Sequence, residues 1–159
     1  MTPQHSAGHF VLPSEPERNS PPPADERRRM EGKQGPLRVL VVEDDFLIAM
    51  QTEVALTAAG FEVVGPAATA EQAVALAREA QPTLAVMDIR LASNRDGIDA
   101  ARQLYQDFAI RCIFATAHDD AHTRGRAEPY APLGWLPKPY TMTSLVAVVA
   151  DALVQLGRL

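Results

Sequence analysis

The sequence predicts an α/β fold, a parallel sheet with helices on both faces, and three observations carry that prediction. From Leu37 onward, apolar runs alternate with segments of helical spacing. The runs are continuous and rich in Val, Leu and Ala, as expected of strands covered on both sides. Four of them end on polar residues: Leu37–Val42 on Glu43, Asp44 and Asp45, Leu84–Met87 on Asp88, Cys112–Ala115 on Thr116, and Trp135–Pro137 on Lys138. Parallel strands share a carboxyl edge, so all of these polar groups are predicted to emerge together.

The elements follow in order. Leu37–Val42 is the first strand, and Phe46–Ala59 is a helix with Phe46, Ala49, Met50, Val54 and Ala58 at helical spacing. Asp45 is its best N-cap, and Gly60 a good stop. Phe61–Val64 is the second strand, closed by Gly65-Pro66. Thr69-x-x-Gln72 reads as a capping box for a helix over Ala70–Ala80 with Val74 and Ala77 on one side. Pro82 leads into strand Leu84–Met87, and Asp96–Asp107 is a helix through Ile98, Ala101, Leu104 and Tyr105. Arg111–Ala115 is the fourth strand. Between Asp119 and Leu133, Gly125, Pro129 and Pro132 leave room for only a turn or two of helix. Strand Gly134–Leu136 and helix Met142–Leu156 finish the pattern. Such alternation implies right-handed crossovers, with the binding crevice at the carboxyl ends of the strands.

Residues 1–36 contrast with this. They hold Pro3, Pro13, Pro16, Pro21, Pro22, Pro23 and Pro36 and show no period, so they are expected to be a disordered tail. Arg27-Arg28-Arg29 reads as a solvated charge run. Met30 is a candidate alternative start. The 159 residues suit one full domain, over 37–159, rather than two. The net charge of -5 falls entirely beyond the neutral tail. An acidic domain without a basic stripe argues against nucleic acid as partner. The single cysteine, Cys112, permits no internal disulfide. No apolar stretch approaches the roughly 18 residues of a membrane span, and no signal-peptide core is visible. The expectation is a cytoplasmic protein without membrane contact.

The strand-end residues carry the chemistry. Glu43, Asp44 and Asp88 brought within about 4 Å would repel by ~1 kcal/mol per pair in water and by more in a protein. A fold that gathers them calls for a cation, and hard oxygen donors at an open crevice suit Mg²⁺. The acids after Val42 are equally suited to beginning a helix, the reading preferred for Asp45. Asp88, presented by a rigid strand end, suits a carboxylate nucleophile toward phosphorus. Thr116 suits a hydrogen bond to a phosphoryl oxygen, or a strand cap. Lys138 is the only lysine from residue 37 onward, the other nine basic residues there being arginine. An ammonium, a compact point charge with three donors, is therefore singled out at that position.

Taken together, Val39-Leu40-Val41-Val42-Glu43-Asp44-Asp45, Met87-Asp88, Asp96-Gly97, Ala115-Thr116-Ala117 and Lys138-Pro139-Tyr140 resemble the response-regulator receiver domain of two-component signalling. The resemblance spans about Leu37 to Leu156. It implies a doubly wound, flavodoxin-like five-stranded sheet of order 2-1-3-4-5. It also implies that Glu43 and Asp44 are metal-binding acids and that Asp88 accepts a phosphoryl group from a sensor histidine kinase. The carbonyl of Arg90 would complete the Mg²⁺ shell with the Asp88 carboxylate. Thr116 and Lys138 would hold the phosphoryl group, Lys138-Pro139 would be a cis peptide, and Trp135 occupies the switch position. The segment from Asp88 to Gly97 has no proline and is one residue longer than in many receivers. With Val64-Gly65-Pro66-Ala67, Phe114-Ala115-Thr116-Ala117 and the shortened fourth helix, it looks like a subset found in alphaproteobacterial single-domain and stress regulators.

The expected function is that of a single-domain response regulator. It would signal through a downstream protein, or pass phosphate to or from a histidine phosphotransferase as a shuttle or sink. Its only catalysis would be its own phosphorylation and dephosphorylation. An apolar patch around Phe46, Leu47 and Met50 is the expected docking face for the kinase. Arg90 and His118 flank the site as candidates for setting the lifetime of the phosphoryl group. Two alternatives stand beside this reading. One is an unphosphorylated, receiver-like binding module. The other is an Asp-nucleophile phosphatase, opposed by Arg90 where a second acid is usual. His118 and His122 have zinc-ligand spacing but no nearby Cys, and the spacing of His5 and His9 is read as chance.

Overall fold

The computed structural model describes residues 35–117 and 120–159. The predicted tail (apart from Gly35 and Pro36), Arg27-Arg28-Arg29, Met30, His5, His9 and His118 lie outside the described residues.

Five strands form one parallel sheet: β1 (Arg38–Val42), β2 (Glu62–Ala67), β3 (Leu84–Asp88), β4 (Cys112–Thr116) and β5 (Gly134–Pro137). The order is β2-β1-β3-β4-β5. Helices α1 (Phe46–Ala58), α2 (Ala70–Ala80), α3 (Gly97–Phe108), α4 (Ala121–Ala127) and α5 (Met142–Gln155) connect and flank the strands, with a 3₁₀ turn at Glu128–Tyr130. The chain reverses direction across the sheet between β1 and β3, which makes their carboxyl ends the switch point of the fold.

Alternation along the strands divides the core in two. Leu40, Val42, Ala85, Met87, Cys112 and Phe114 face one side with Ala73 and Ala77 of α2 and Ile98, Ala101 and Leu104 of α3. Val39, Val41, Leu84, Val86 and Ile113 face the other, with Leu56 of α1 and Leu145, Val149 and Leu153 of α5. Desolvation pushes the Cys112 thiol up to about 12.

The predicted caps form, with one change. Asp45 accepts from the Leu47 and Ile48 N–H groups at 2.9 and 3.1 Å. The Thr69 hydroxyl accepts from the Gln72 N–H at 3.2 Å, but the Gln72 amide oxygen reaches past Thr69 to the Ala68 N–H at 2.9 Å. Half of the predicted box is therefore present.

Two larger readings are corrected. Gly65-Pro66 does not end the second strand, which runs on to Ala67. The strand lies at the sheet edge, where proline's missing N–H is tolerated, and its pairing with β1 shifts between Leu40 and Val42. Gly65 has φ +98°, and a Cβ there would lie 2.9 Å from the Val41 carbonyl oxygen. The extension matters, because the Ala67 carbonyl accepts the Glu43 N–H at 2.8 Å.

The second correction concerns α1: of Phe46, Ala49, Met50, Val54 and Ala58 at helical spacing, only Ala49 is buried. The buried residues are Ala49, Thr52 and Leu56. Apolar residues surround this helix, so no single period identifies the stripe that packs. Its outer apolar residues leave an exposed patch, as expected around Phe46, Leu47 and Met50. The fourth helix is short, as Gly125 and Pro129 implied, and Ala127 is its only buried residue.

Cys112 is expected to resist alkylation in the native protein and to react only as it unfolds. Mass analysis of iodoacetamide-treated samples with and without urea checks this.

Candidate functional site

Strand register assembles the site. Val42 pairs with Met87, Asp88 with Ala115, and Thr116 with Pro137. Glu43, Asp88, Thr116 and Lys138 consequently reach one edge within two residues of each other. The Lys138 N–H donates to the Thr116 carbonyl at 2.8 Å, which ties the last two strands at that level. The described residues include four buried polar side chains, and three of them, Glu43, Asp88 and Thr116, are at this edge.

The charges are crowded. One oxygen each from Glu43, Asp44 and Asp88 fits within a 4.8 Å span. The Lys138 Nζ lies 3.1 Å from Asp88 Oδ2 and 3.5 Å from Glu43 Oε2. Burial opposes the ammonium, but Asp88 and Glu43 outweigh it and hold the Lys138 pKa above its ordinary value. Glu43 goes the other way. Desolvation, opposed by the Asp45 N–H and reinforced by Asp88, raises its carboxyl to about 7. One lysine does not fully compensate two buried carboxylates. Three hard oxygen donors with excess negative charge fit a divalent cation such as Mg²⁺.

Beside these groups lies a cavity of ≈ 280 Å³ bordered by Asp88, Arg90, Thr116, Ala117, Asp120 and Lys138. The Arg90 N–H donates to Asp88 Oδ1 at 3.3 Å, which turns the chain after the strand. Lys138-Pro139 is cis, as is Gly65-Pro66. Lys138 also borders a groove of ≈ 430 Å³ with Ile48, Gln51, Tyr140 and Met142. One face of that groove is α1, where Phe46, Leu47 and Met50 are 75%, 62% and 45% exposed.

Trp135 is set back from the cavity. Its ring stacks on Phe114 at 5.1 Å between centroids, and the Arg124 guanidinium lies 4.8 Å from its centroid. His122 lies on α4, while His118, at zinc-ligand spacing from it, is outside the described residues. Among the described residues, the acidic trio is the one group of three metal-ligating side chains found close together.

Residue-by-residue reading missed three features. In the sequence Gly97 stands out only within the Asp96-Gly97 pair. Any Cβ there would collide with the Asp88 carbonyl, and the Gly97 N–H donates to the Ile89 carbonyl at 2.7 Å. Asp120, on the cavity wall, had no signal in the sequence beyond its place before a short helix. Arg126 had none at all: it pairs with Asp96 at 2.7 Å and Asp99 at 3.8 Å, thirty and twenty-seven positions away. Such an exposed pair contributes about 0.2–1 kcal/mol.

The response regulator receiver domain family matches residues 39–150. The chain belongs to this family. It is 33% identical over 114 residues to the transcriptional regulatory protein PdtaR of Mycobacterium tuberculosis (strain CDC 1551 / Oshkosh), covering 72% of this chain and 55% of that protein. It is 35% identical over 116 residues to the phyllosphere-induced regulator PhyR of Methylorubrum extorquens, covering 72% of this chain and 43% of the relative. The chain thus spans about half the length of these relatives. Among solved structures, the signal receiver domain of a modulated diguanylate cyclase from Desulfovibrio desulfuricans G20 superposes with a TM-score of 0.69 at 31% identity, over 76% of this chain and 96% of that one. A CheY-like receiver from Methanospirillum hungatei JF-1, 23% identical, shares the fold with a TM-score of 0.71 over 76% of this chain and 96% of its own. The flavodoxin-like order 2-1-3-4-5 is the one observed.

A carboxyl raised to about 7 retains its proton in the folded, metal-free protein at pH values where the unfolded chain has lost it. The stability Glu43 contributes is therefore fully present below its ordinary pKa of 4.5 and is lost as pH rises through about 7. Over the same range the carboxylate becomes available to a cation. Mg²⁺ is expected to bind more weakly at pH 6 than at pH 8 and to raise Tm more at the higher pH. Calorimetric titration and thermal melts in both buffers check this, with Glu43→Gln expected to flatten the dependence.

A Gly97→Ala substitution is expected to destabilise the fold by about 1–3 kcal/mol, as overpacking against backbone does. Urea unfolding measures it.

Proposed function

We propose that this receiver takes a phosphoryl group onto Asp88 from the phosphohistidine of a sensor histidine kinase, with Mg²⁺ as cofactor. One observation carries the reading: a buried carboxylate at a strand end lies 3.1 Å from an ammonium and beside two further acids. A cation and a metal ion placed together suit a nucleophile that receives a charged phosphoryl group.

In the proposed step an Asp88 oxygen attacks phosphorus. The O–P bond forms as the N–P bond breaks, and the departing imidazole nitrogen keeps the electron pair. Lys138, already paired with Asp88, follows the transferred group and neutralises one of its oxygens. The Thr116 hydroxyl, on the adjoining strand end, donates to another. Glu43, Asp44, Asp88 and the Arg90 carbonyl would hold Mg²⁺, which offsets the negative charge gathering on the phosphoryl oxygens. Hydrolysis of the acyl phosphate later restores the carboxylate, so the protein acts only on its own phosphoryl group. The Arg90 side chain at the cavity rim, and His118, are the proposed determinants of its lifetime.

The exposed Phe46, Leu47 and Met50, beside a groove that reaches Lys138, suit docking of a kinase's helical domain. Output is proposed to pass through contacts with a downstream protein, or onward to a histidine phosphotransferase. Trp135, between Phe114 and Arg124, is the proposed site at which the phosphorylated state registers. Residues 37–159 are taken as the receiver and 1–36 as a tail. No described helix is long and apolar enough to cross a membrane, and a cytoplasmic location is part of the same proposal.

Mixing the protein with Mg²⁺ and a small acyl phosphate is expected to give a phosphoryl adduct by intact mass. The adduct is expected to be absent in Asp88→Asn and to form about 10²-fold more slowly in Lys138→Ala, as loss of one charge-stabilising donor does. Absence of any adduct in the wild type, with partner binding indifferent to Asp88→Asn, would leave a binding module instead.

A further inference from the structure

We infer that Arg126, on the short helix α4, is a positioning residue for the phosphoacceptor loop, acting through Asp96 and Gly97. The inference rests on the reading of Asp88 and its metal site given above, and deepens it.

The path is short and made of observed contacts. Arg126 Nη1 donates to Asp96 Oδ2 at 2.7 Å, and Nη2 lies 3.8 Å from Asp99 Oδ1. Both acids are in the N-terminal capping box of α3: Asp96 accepts the Asp99 N–H at 3.0 Å, and Asp99 accepts the Asp96 N–H at 3.2 Å. One guanidinium therefore grips both halves of the cap. Burial works against the Asp96 carboxylate, but the Arg126 guanidinium and the Asp99 N–H hold its pKa below the ordinary value. The next residue, Gly97, lies directly on the Asp88 carbonyl and donates to the Ile89 carbonyl. Any shift of the α3 N-terminus is thus transmitted to the backbone of Asp88 and Ile89, and from there to Arg90.

The other end of the path is thinly anchored. Among the α4 residues only Ala127 is buried, so the helix is held largely by polar contacts. Arg124 reaches toward Trp135 and Arg126 toward α3, in different directions. Arg126 therefore joins the segment after β4 to the segment after β3, the two loops that border the phosphoryl cavity. Its function is to keep the Asp88–Arg90 backbone seated for the metal ion.

Mg²⁺ binding by calorimetry, without any phosphodonor, tests this in wild type, Arg126→Gln, Arg126→Lys and Asp96→Asn, since Asn retains the cap but not the charge. Arg126→Gln and Asp96→Asn are expected to weaken Mg²⁺ binding about 3-fold, the order an exposed ion pair supplies, and Arg126→Lys to recover most of it. The wild-type advantage should shrink as ionic strength rises, and hydrogen exchange at the Gly97 amide should quicken in Arg126→Gln. Acyl-phosphate labelling should slow in Arg126→Gln at limiting Mg²⁺ and converge with wild type at saturation. Unchanged Mg²⁺ affinity and Gly97 exchange in Arg126→Gln would overturn the inference and leave a surface ion pair. Failure of the wild type to bind Mg²⁺ overturns it together with the metal site, and that case is recognised from the wild type alone. A wild type that binds Mg²⁺ but takes no phosphoryl group removes only the acceptor role.

Discussion

Glu43 and Asp88 are both buried at one sheet edge, and the ammonium of Lys138 lies 3.5 and 3.1 Å from them. That crowding is unfavourable: desolvation and the neighbouring carboxylate raise Glu43 to about 7. Folding energy from the rest of the domain must hold like charges where water no longer screens them. The two apolar faces of the sheet supply it, and they leave three acidic oxygens gathered at one edge. Structure and reactivity here have one origin.

The sheet that maintains this edge is built for accuracy of position. β1, β3 and β4 are buried on both faces, so their register is fixed by packing on two sides. The site side chains follow directly on these strands, with no flexible residue intervening before Asp88 or Thr116. The irregular edge strand contributes as well. Its shift at Gly65 and continuation to Ala67 supply the carbonyl that receives the Glu43 N–H. A feature that reads as a turn in the sequence is a support for the acid pair.

Exposed surface is concentrated elsewhere, on α1 and α4. α1 buries Ala49, Thr52 and Leu56 and leaves the large apolar Phe46, Leu47, Met50 and Val54 outside. α4 has one buried residue and arginines that reach α3 and Trp135. A helix held by exposed polar contacts responds to small charge changes nearby, whereas the double-sided core does not. Strands buried on both faces thus end at the acidic edge, and a helix with one buried residue lies beside them.

The sequence by itself determined the layers, the strand and helix alternation within a residue or two at most ends, and the set of polar residues at the strand ends. It could do so because period and burial are local properties: a strand covered on both faces must be apolar along its length, and the residue that breaks the run must lie at the edge. Glu43, Asp44, Asp88, Thr116 and Lys138 were legible for that reason, as was the shortness of α4 from its glycine and prolines. The tertiary structure alone decided which side of α1 packs, since apolar residues all round it erase the period. It alone decided that Gly65-Pro66 continues a strand, because only an edge position excuses the missing N–H. And it alone brought Gly97 against the Asp88 carbonyl and Arg126 onto Asp96 and Asp99. Those contacts join residues separated by nine to thirty positions, and no local pattern encodes a distance that only folding closes.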